Sequence, residues 1–158
     1  MKKIMFCLAV LLVVGCASTS RPIDNKINVA ELIGGVESSQ SNVTVYLNNE
    51  GTDRASVRFE TRYNSAPKRI HKLYIFDEDA PKLKELLTKF QKNELTVDDM
   101  LTPLNFGRDK GIFGETKADG KRYVRINTVE GSYLFTESST SNLIGILEQL
   151  QRAGKNKN

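Results

Sequence analysis

One pattern occurs twice in this chain and limits its fold more than any other feature: segments of alternating polarity lead into an amphipathic helix. In both helical segments apolar residues recur at positions i, i+3, i+4 and i+7, which places them on one helix face. We predict the helices at about 80–92 and 140–152. Their apolar positions are Leu83, Leu86, Leu87 and Phe90 in the first, and Leu143, Ile146, Leu147 and Leu150 in the second.

The segments before each helix alternate between apolar and polar residues with a period of two, as half-buried strands do. They are 43–47, 55–63 and 69–76 before the first helix, and 112–117, 122–129 and 132–137 before the second. Turn sequences such as Asp119-Gly120 join neighbouring segments as hairpins. Hairpin strands with separate helices predict an α+β fold, in which the two helices pack on one face of an antiparallel β-sheet.

Two short matches predict that this pattern is a strands-then-helix pseudo-repeat. YIFDE at 74–78 is matched by YLFTE at 133–137, and VRF at 57–59 is matched by VRI at 124–126. The alternative is that any two amphipathic strand-helix units look alike. The doubled order is similar in outline to the whirly and PUR-type nucleic-acid-binding domains. That resemblance is one of topology, and no residue takes a role from it.

The first sixteen residues have the order of a secretory signal. Lys2 and Lys3 precede an uncharged apolar run at 4–14, which leads into Gly15 and Cys16. A run of this length suits the apolar region of a signal peptide, about 7–15 residues, whereas a membrane-spanning helix needs about 20. We therefore predict that residues 1–15 are a cleaved signal peptide and take no part in the fold.

The end of this segment, Val13-Val14-Gly15-Cys16, resembles the lipobox of bacterial lipoprotein precursors. The resemblance implies cleavage between Gly15 and Cys16, a diacylglycerol thioether on the Cys16 sulfur, and acylation of the new amino terminus. Several acyl chains together anchor a protein stably, so the first expected partner is a membrane. Ala17 and Ser18 follow, without the aspartate that typically retains a lipoprotein in the inner membrane, which implies the outer membrane.

After the signal peptide we expect three further parts: a tether with a short helix at 16–42, a single compact domain at 43–153, and a polar tail at 154–158. Small polar residues and Pro22 at 17–25 indicate the tether. Gly34-Gly35 would end the short helix at 27–33. Removal of 15 residues from 158 leaves 143, which suits one domain of ordinary size.

Charge and cysteine content exclude several classes of function. Loss of Lys2 and Lys3 reduces the net charge from +4 to +2, and this balance, with the export signal, argues against nucleic acid as a partner. Cys7 is lost with the signal peptide and Cys16 carries lipid, which leaves no thiol for a disulfide or a metal. One histidine, His71, cannot supply a usual zinc or copper ligand set. We expect no metal and no cofactor.

Three motifs are better explained by structure than by chemistry. His71 lies within a predicted strand, and no motif suggests the nucleophile or carboxylate partner that a general base needs. The acids at 77–79 lack the spacing of a calcium loop and suit a helix N-terminus. The glycines at 105–115 lack the spacing of a phosphate-binding loop.

Basic residues on the predicted hairpins are the remaining candidate site. The candidates are Arg58, Arg62, Lys72, Arg122 and Arg125. A shared basic sheet face would attract lipid headgroups, lipopolysaccharide phosphates or an acidic partner. The alternative is a solvated face on which acids such as Glu60 and Glu115 are interspersed.

We therefore expect an outer-membrane lipoprotein that faces the periplasm and whose domain, without enzymatic activity, binds an envelope protein or another envelope component. One alternative is a hydrolase of an envelope polymer that uses carboxylates such as Glu60 or Glu115. Another is an exclusion-type lipoprotein displayed on the cell surface. Acids that converge in a deep pocket would favour the enzyme, and an open sheet face would favour binding.

Overall fold

The computed structural model describes residues 19–106, 109–129 and 131–155. It confirms the α+β class with antiparallel sheets. The predicted signal peptide, Gly15 and Cys16 lie outside the described residues. The elements in chain order are β1 (Ser20–Ile23), β2 (Asn28–Ile33), β3 (Val36–Asn42), β4 (Thr44–Asn48), β5 (Ser56–Thr61), β6 (His71–Phe76), α1 (Ala80–Lys92), α2 (Val97–Met100), β7 (Pro103–Phe106), β8 (Asp109–Ala118), β9 (Lys121–Thr128), β10 (Gly131–Thr136), a 3₁₀ turn (Glu137–Ser139) and α3 (Thr140–Lys155).

The strands form two sheets where the sequence predicted one. Sheet A has the order β1-β4-β5-β6, and sheet B has the order β3-β2-β10-β9-β8-β7. The chain changes sheet three times: between β1 and β2, at Val43 between β3 and β4, and between β6 and β7. A twisted open sheet of ten strands is near the limit at which sheets split into two packed layers, which gives a physical reason for the division.

Alternation along the strands decides which side chains enter the core. In β5, Val57 and Phe59 are buried, while Arg58 and Glu60 lie on the other face. The inner faces of both sheets and the apolar faces of both long helices share one continuous core. Phe59 of sheet A and Phe135 of sheet B meet edge to face in it, with ring centroids 5.9 Å apart.

The two long helices are where the sequence predicts them, and each buries the predicted apolar stripe. They run antiparallel to each other: Lys84 pairs with Glu148, and Gln91 donates to Ser141. Asp79 is the N-cap residue of α1, as predicted, but its side chain makes no capping hydrogen bond. α3 extends to Lys155, so the first two residues of the predicted polar tail, Gly154 and Lys155, are helical.

The prediction for residues 16–42 is wrong from Ser20 onwards. The predicted tether contains β1, the predicted short helix is β2, and the polar stretch after it is β3. Ile23, Ile27 and Val29 are buried in the common core, so the domain does not begin at Val43. Gly34 and Gly35 do not stop a helix; they form a hairpin turn between β2 and β3, with φ of +62° and +83°.

Burial and strand pairing agree with one of the two sequence matches and disagree with the other. Val57 and Val124 are both buried, and the arginine after each faces outward, so VRF and VRI correspond. YIFDE and YLFTE do not correspond, because Tyr74 lies on the outer face of β6 while Tyr133 is buried in the core. Pairing with β5 and β9 makes Leu73 the counterpart of Tyr133 instead.

The short helix α2 begins with a capping box. The Thr96 side chain accepts a hydrogen bond from the Asp99 backbone, and the Asp99 carboxylate accepts one from the Thr96 backbone. Lys89 of α1 donates to the same carboxylate at 2.8 Å. This hydrogen bond, followed by those from Thr96, lowers the pKa of Asp99 from 3.8 to about 2.

The low pKa of Asp99 predicts a pH-dependent contribution to stability. A depressed folded-state pKa stabilises the protein above the unfolded-state value of 3.8, and this contribution is lost as the pH falls towards about 2. We expect the unfolding free energies of wild type and Asp99→Asn to differ at neutral pH and to converge between about pH 4 and pH 2. Urea unfolding at each pH measures this difference. Asp98→Asn, at an exposed position of the same helix, is the control, and a gap for Asp99→Asn that persists at the lowest pH would contradict the assignment.

Candidate functional site

The predicted basic residues lie on two different sheets. Arg58 and Lys72 are on sheet A, and Arg62 follows the end of β5. Arg122 and Arg125 are on β9 of sheet B, three positions apart, so they point to opposite faces. The prediction of one face that contains all five residues is therefore wrong. Three of them, on or beside sheet A, remain as a cluster.

The outer face of sheet A carries a row of side chains that crosses all four strands. Strand register places Pro22 beside Tyr46, Tyr46 beside Arg58, and Arg58 beside Tyr74. The Arg58 guanidinium carbon lies 4.5 Å from the centroid of the Tyr46 ring, a cation–π contact. Arg58 thus has an aromatic neighbour on each adjacent strand.

Glu60 forms an ion pair with the same arginine, although the Arg58 Nε–H makes no hydrogen bond with any described residue. Its Oε1 lies 3.0 Å from the Arg58 Nε and 3.6 Å from the Lys72 Nζ. The side chains of Arg58 and Glu60 are 23% and 19% exposed, so their ion pair is partly shielded from solvent. The Lys72 side chain is 44% exposed and remains accessible to solvent. The terminal nitrogens of Arg58 make no hydrogen bond with any described residue.

An open cleft of about 460 Å³ adjoins this row where the two sheets meet. Its lining is Gln40, Ser41, Asn42, Thr44, Glu60, Thr61, Arg62, Asn64 and Ile70. We call it the junction cleft. Within the described part of the chain, Arg62 makes no ion pair or hydrogen bond. The cleft therefore offers an unengaged cation, several amides and hydroxyls, and one exposed apolar side chain, Ile70.

Arg122 has a structural role at the end of α1. Its guanidinium lies over the Phe90 ring at 4.2 Å and donates to the Phe90 carbonyl. It also pairs with Glu115 at 2.9 Å and with Glu137 at 3.1 Å. With 15% of its side chain exposed, this arginine satisfies a helix C-terminus and is not available to a ligand.

The two carboxylates proposed for a hydrolase do not come together. Glu60 lies on sheet A between Arg58 and Lys72, and Glu115 lies on sheet B between Arg122 and Lys117. Glu60 lines the junction cleft, and Glu115 is not among the residues that line it.

His71 packs edge to face on Tyr63, with ring centroids 4.9 Å apart. The Tyr63 hydroxyl donates to the backbone carbonyl of Ser132 on sheet B. Burial, and then the nearby charge of Glu31, raises the pKa of Tyr63 to about 12. The histidine thus lies beside a neutral tyrosine that joins the two sheets.

The glycine-rich stretch 105–115 forms part of the β7–β8 hairpin in its described portion. No group of three or more acids, histidines or cysteines that could hold a metal occurs in residues 19–106, 109–129 and 131–155. Over the same ranges, no helix has the length and apolar character needed to cross a membrane.

Sequence reasoning missed two features. The first is the aromatic row: Tyr46 and Tyr74 were assigned to strands, but their place beside Arg58 depends on strand pairing. The second is a polar contact between β3 and β9 of sheet B. The Tyr123 hydroxyl donates to Glu37, and Lys121 pairs with the same carboxylate at 3.0 Å. Glu37 belongs to β3, which lies in the segment where the sequence predicts a tether.

No protein-family model matches the sequence, and no curated protein matches it. Among solved structures, the chain is similar to SsgB of Streptomyces coelicolor, a protein in which mutations correlate to longitudinal cell division during sporulation. The two sequences are 12% identical, the match covers 89% of this chain and 94% of that chain, and the TM-score is 0.43. A likeness at this level carries no argument about fold or function.

Proposed function

We propose that the protein is a lipoprotein, anchored through Cys16 to the outer membrane and facing the periplasm, whose domain binds an anionic component of the envelope without catalysing a reaction. The observation that carries the binding role is Arg58 on the outer face of sheet A. Tyr46 covers one face of its guanidinium and Glu60 forms an ion pair with it, while its terminal nitrogens make no hydrogen bond with any described residue. Lys72 and Arg62 add positive charge nearby.

Binding is favoured over hydrolysis by the placement of the acids. Hydrolysis of a glycan needs two carboxyl groups that flank one bond, within about 10 Å of each other. Glu60 and Glu115 belong to different sheets, and each is paired with two cations. The open sheet face and the shallow junction cleft suit a ligand that is held and released unchanged.

Photocrosslinking in living cells tests this function. A photoreactive residue at position 72, on the outer face of sheet A, should form adducts with an envelope component. The same residue at position 92, exposed on α1, is the control and should not form them. The adducts at position 72 should disappear when Cys16→Ser releases the domain from the membrane, because tethering raises the effective concentration of a ligand in the same envelope.

Equal adducts from positions 72 and 92 would contradict a binding role for sheet A. Release of soluble fragments from isolated envelopes by the purified protein, abolished by Glu60→Gln or Glu115→Gln, would put the hydrolase first. Both outcomes are independent of the palmitate labelling that tests the anchor.

We also propose that the two strands-then-helix units arose by internal duplication. From β6 and β10 onwards, core residues of the two units pair at an offset of 60 positions, for example Leu73 and Tyr133, Ile75 and Phe135, and Leu87 and Leu147. A constant offset through a strand and a helix is what duplication predicts. The β2–β3 hairpin is then an insertion in the first unit, paired with β10 of the second.

A further inference from the structure

The outer face of sheet A lies close to the point where the proposed lipid is attached. β1 is the edge strand of that sheet and begins at Ser20, four residues after Cys16. Four extended residues span at most about 14 Å. Arg58 is two strands further into the sheet, or about 10 Å from β1. A lipid on Cys16 would therefore keep the outer face of sheet A within reach of the membrane.

The contacts of Arg58 leave it suited to one kind of group. Glu60 forms an ion pair with the guanidinium, with its Oε1 3.0 Å from the Nε, and Tyr46 covers one face of the group, so two neighbours restrict the side chain before any ligand binds. The two terminal nitrogens form the remaining edge of a planar fork. Such a fork binds the oxygens of a phosphate or carboxylate in pairs.

Charge and side-chain type favour phosphate at a membrane surface. The cluster contains three cations, Arg58, Lys72 and Arg62, and one anion, Glu60. Its net charge is therefore positive. Cationic side chains near an anionic leaflet are attracted to it, and tyrosine is enriched at the level of lipid headgroups. The row on sheet A has both kinds of side chain: Arg58 is the cation, and Tyr46 and Tyr74 lie on either side of it. Exposed Pro22 ends the row at the sheet edge.

We infer that the outer face of sheet A binds the phosphate groups of phospholipids in the membrane that carries Cys16, so that the domain lies against the bilayer. This inference rests on the proposed lipid anchor. It leaves sheet B and the two helices facing away from the membrane. An acidic protein on the same face is the competing occupant.

Vesicle sedimentation of the chain from residue 16 to 158, carrying Cys16→Ser so that no lipid is attached, tests the inference. The chain should sediment with vesicles of phosphatidylcholine and phosphatidylglycerol, and not with phosphatidylcholine alone. Arg58→Gln should lower the partition coefficient about fivefold, the value expected for one basic residue at a membrane surface. Arg58→Lys should also lower it, because lysine keeps the charge but lacks the fork.

Arg125→Gln is the matched control, since it removes the corresponding arginine from the outer face of sheet B. It should leave partitioning unchanged, and thermal unfolding of each variant verifies the fold. Equal losses from Arg58→Gln and Arg125→Gln would overturn the inference, as would an absence of vesicle binding. Binding of soluble polyglutamate that depends on Arg58, without vesicle binding, would assign the face to an acidic protein. In those cases intact palmitate labelling at Cys16 would leave the proposed anchor standing.

Discussion

Replacement of Leu87 or Leu147 by alanine is expected to lower the free energy of unfolding by about 2–5 kcal/mol at each site. Both side chains are fully buried, one on each helix of the antiparallel pair, and both belong to the core that joins the two sheets. Truncation removes apolar contacts and leaves a cavity. The helices cannot close over this cavity freely, because both sheets also pack against them.

Urea unfolding of the chain from residue 16, carrying Cys16→Ser, measures the loss. Leu101→Ala is the control, because Leu101 is 63% exposed at the end of α2 and should change stability by less than about 0.5 kcal/mol. Losses below about 1 kcal/mol at both Leu87 and Leu147 would show that the two helices do not pack into a common core.

The elements that the sequence predicts correctly are those with one buried face. In β5, Val57 and Phe59 alternate with Arg58 and Glu60, and this alternation predicts correctly which side chains are buried. The apolar positions spaced along one face of the helices do the same. β3 has no such pattern. Its sequence, VESSQSN, is largely polar, and its side chains alternate between partly and fully exposed, so none is buried. It is an edge strand whose place depends on backbone pairing with β2, and backbone hydrogen bonds leave little trace in a single sequence.

The candidate site shows the same limit. Tyr46, Arg58 and Tyr74 come from three strands, and only the register of those strands makes them neighbours. Register is fixed by packing and turn geometry across the sheet, which no local pattern contains. The pair Arg122 and Arg125 is different. Residues three apart on a strand point to opposite faces, so alternation alone separates them.

Cys16→Ser is expected to abolish incorporation of radiolabelled palmitate into the protein and to block cleavage of the signal peptide. The thioether that the lipobox resemblance implies needs a sulfur atom, and a serine hydroxyl cannot replace it. The precursor should therefore accumulate with residues 1–15 still attached and without lipid, so its mass should differ from that of the mature protein by the gain of this segment and the loss of the acyl groups. Gel mobility and mass spectrometry of the purified forms measure both effects.

Cys7→Ser is the matched control, because Cys7 lies inside the apolar run at 4–14 and is discarded with it. Labelling and cleavage should be unchanged in that variant. Equal palmitate incorporation in wild type and Cys16→Ser would contradict the anchor. The proposed position of sheet A against the membrane would then lose its basis, since the four-residue span from Cys16 to β1 matters only if Cys16 is held at the bilayer surface.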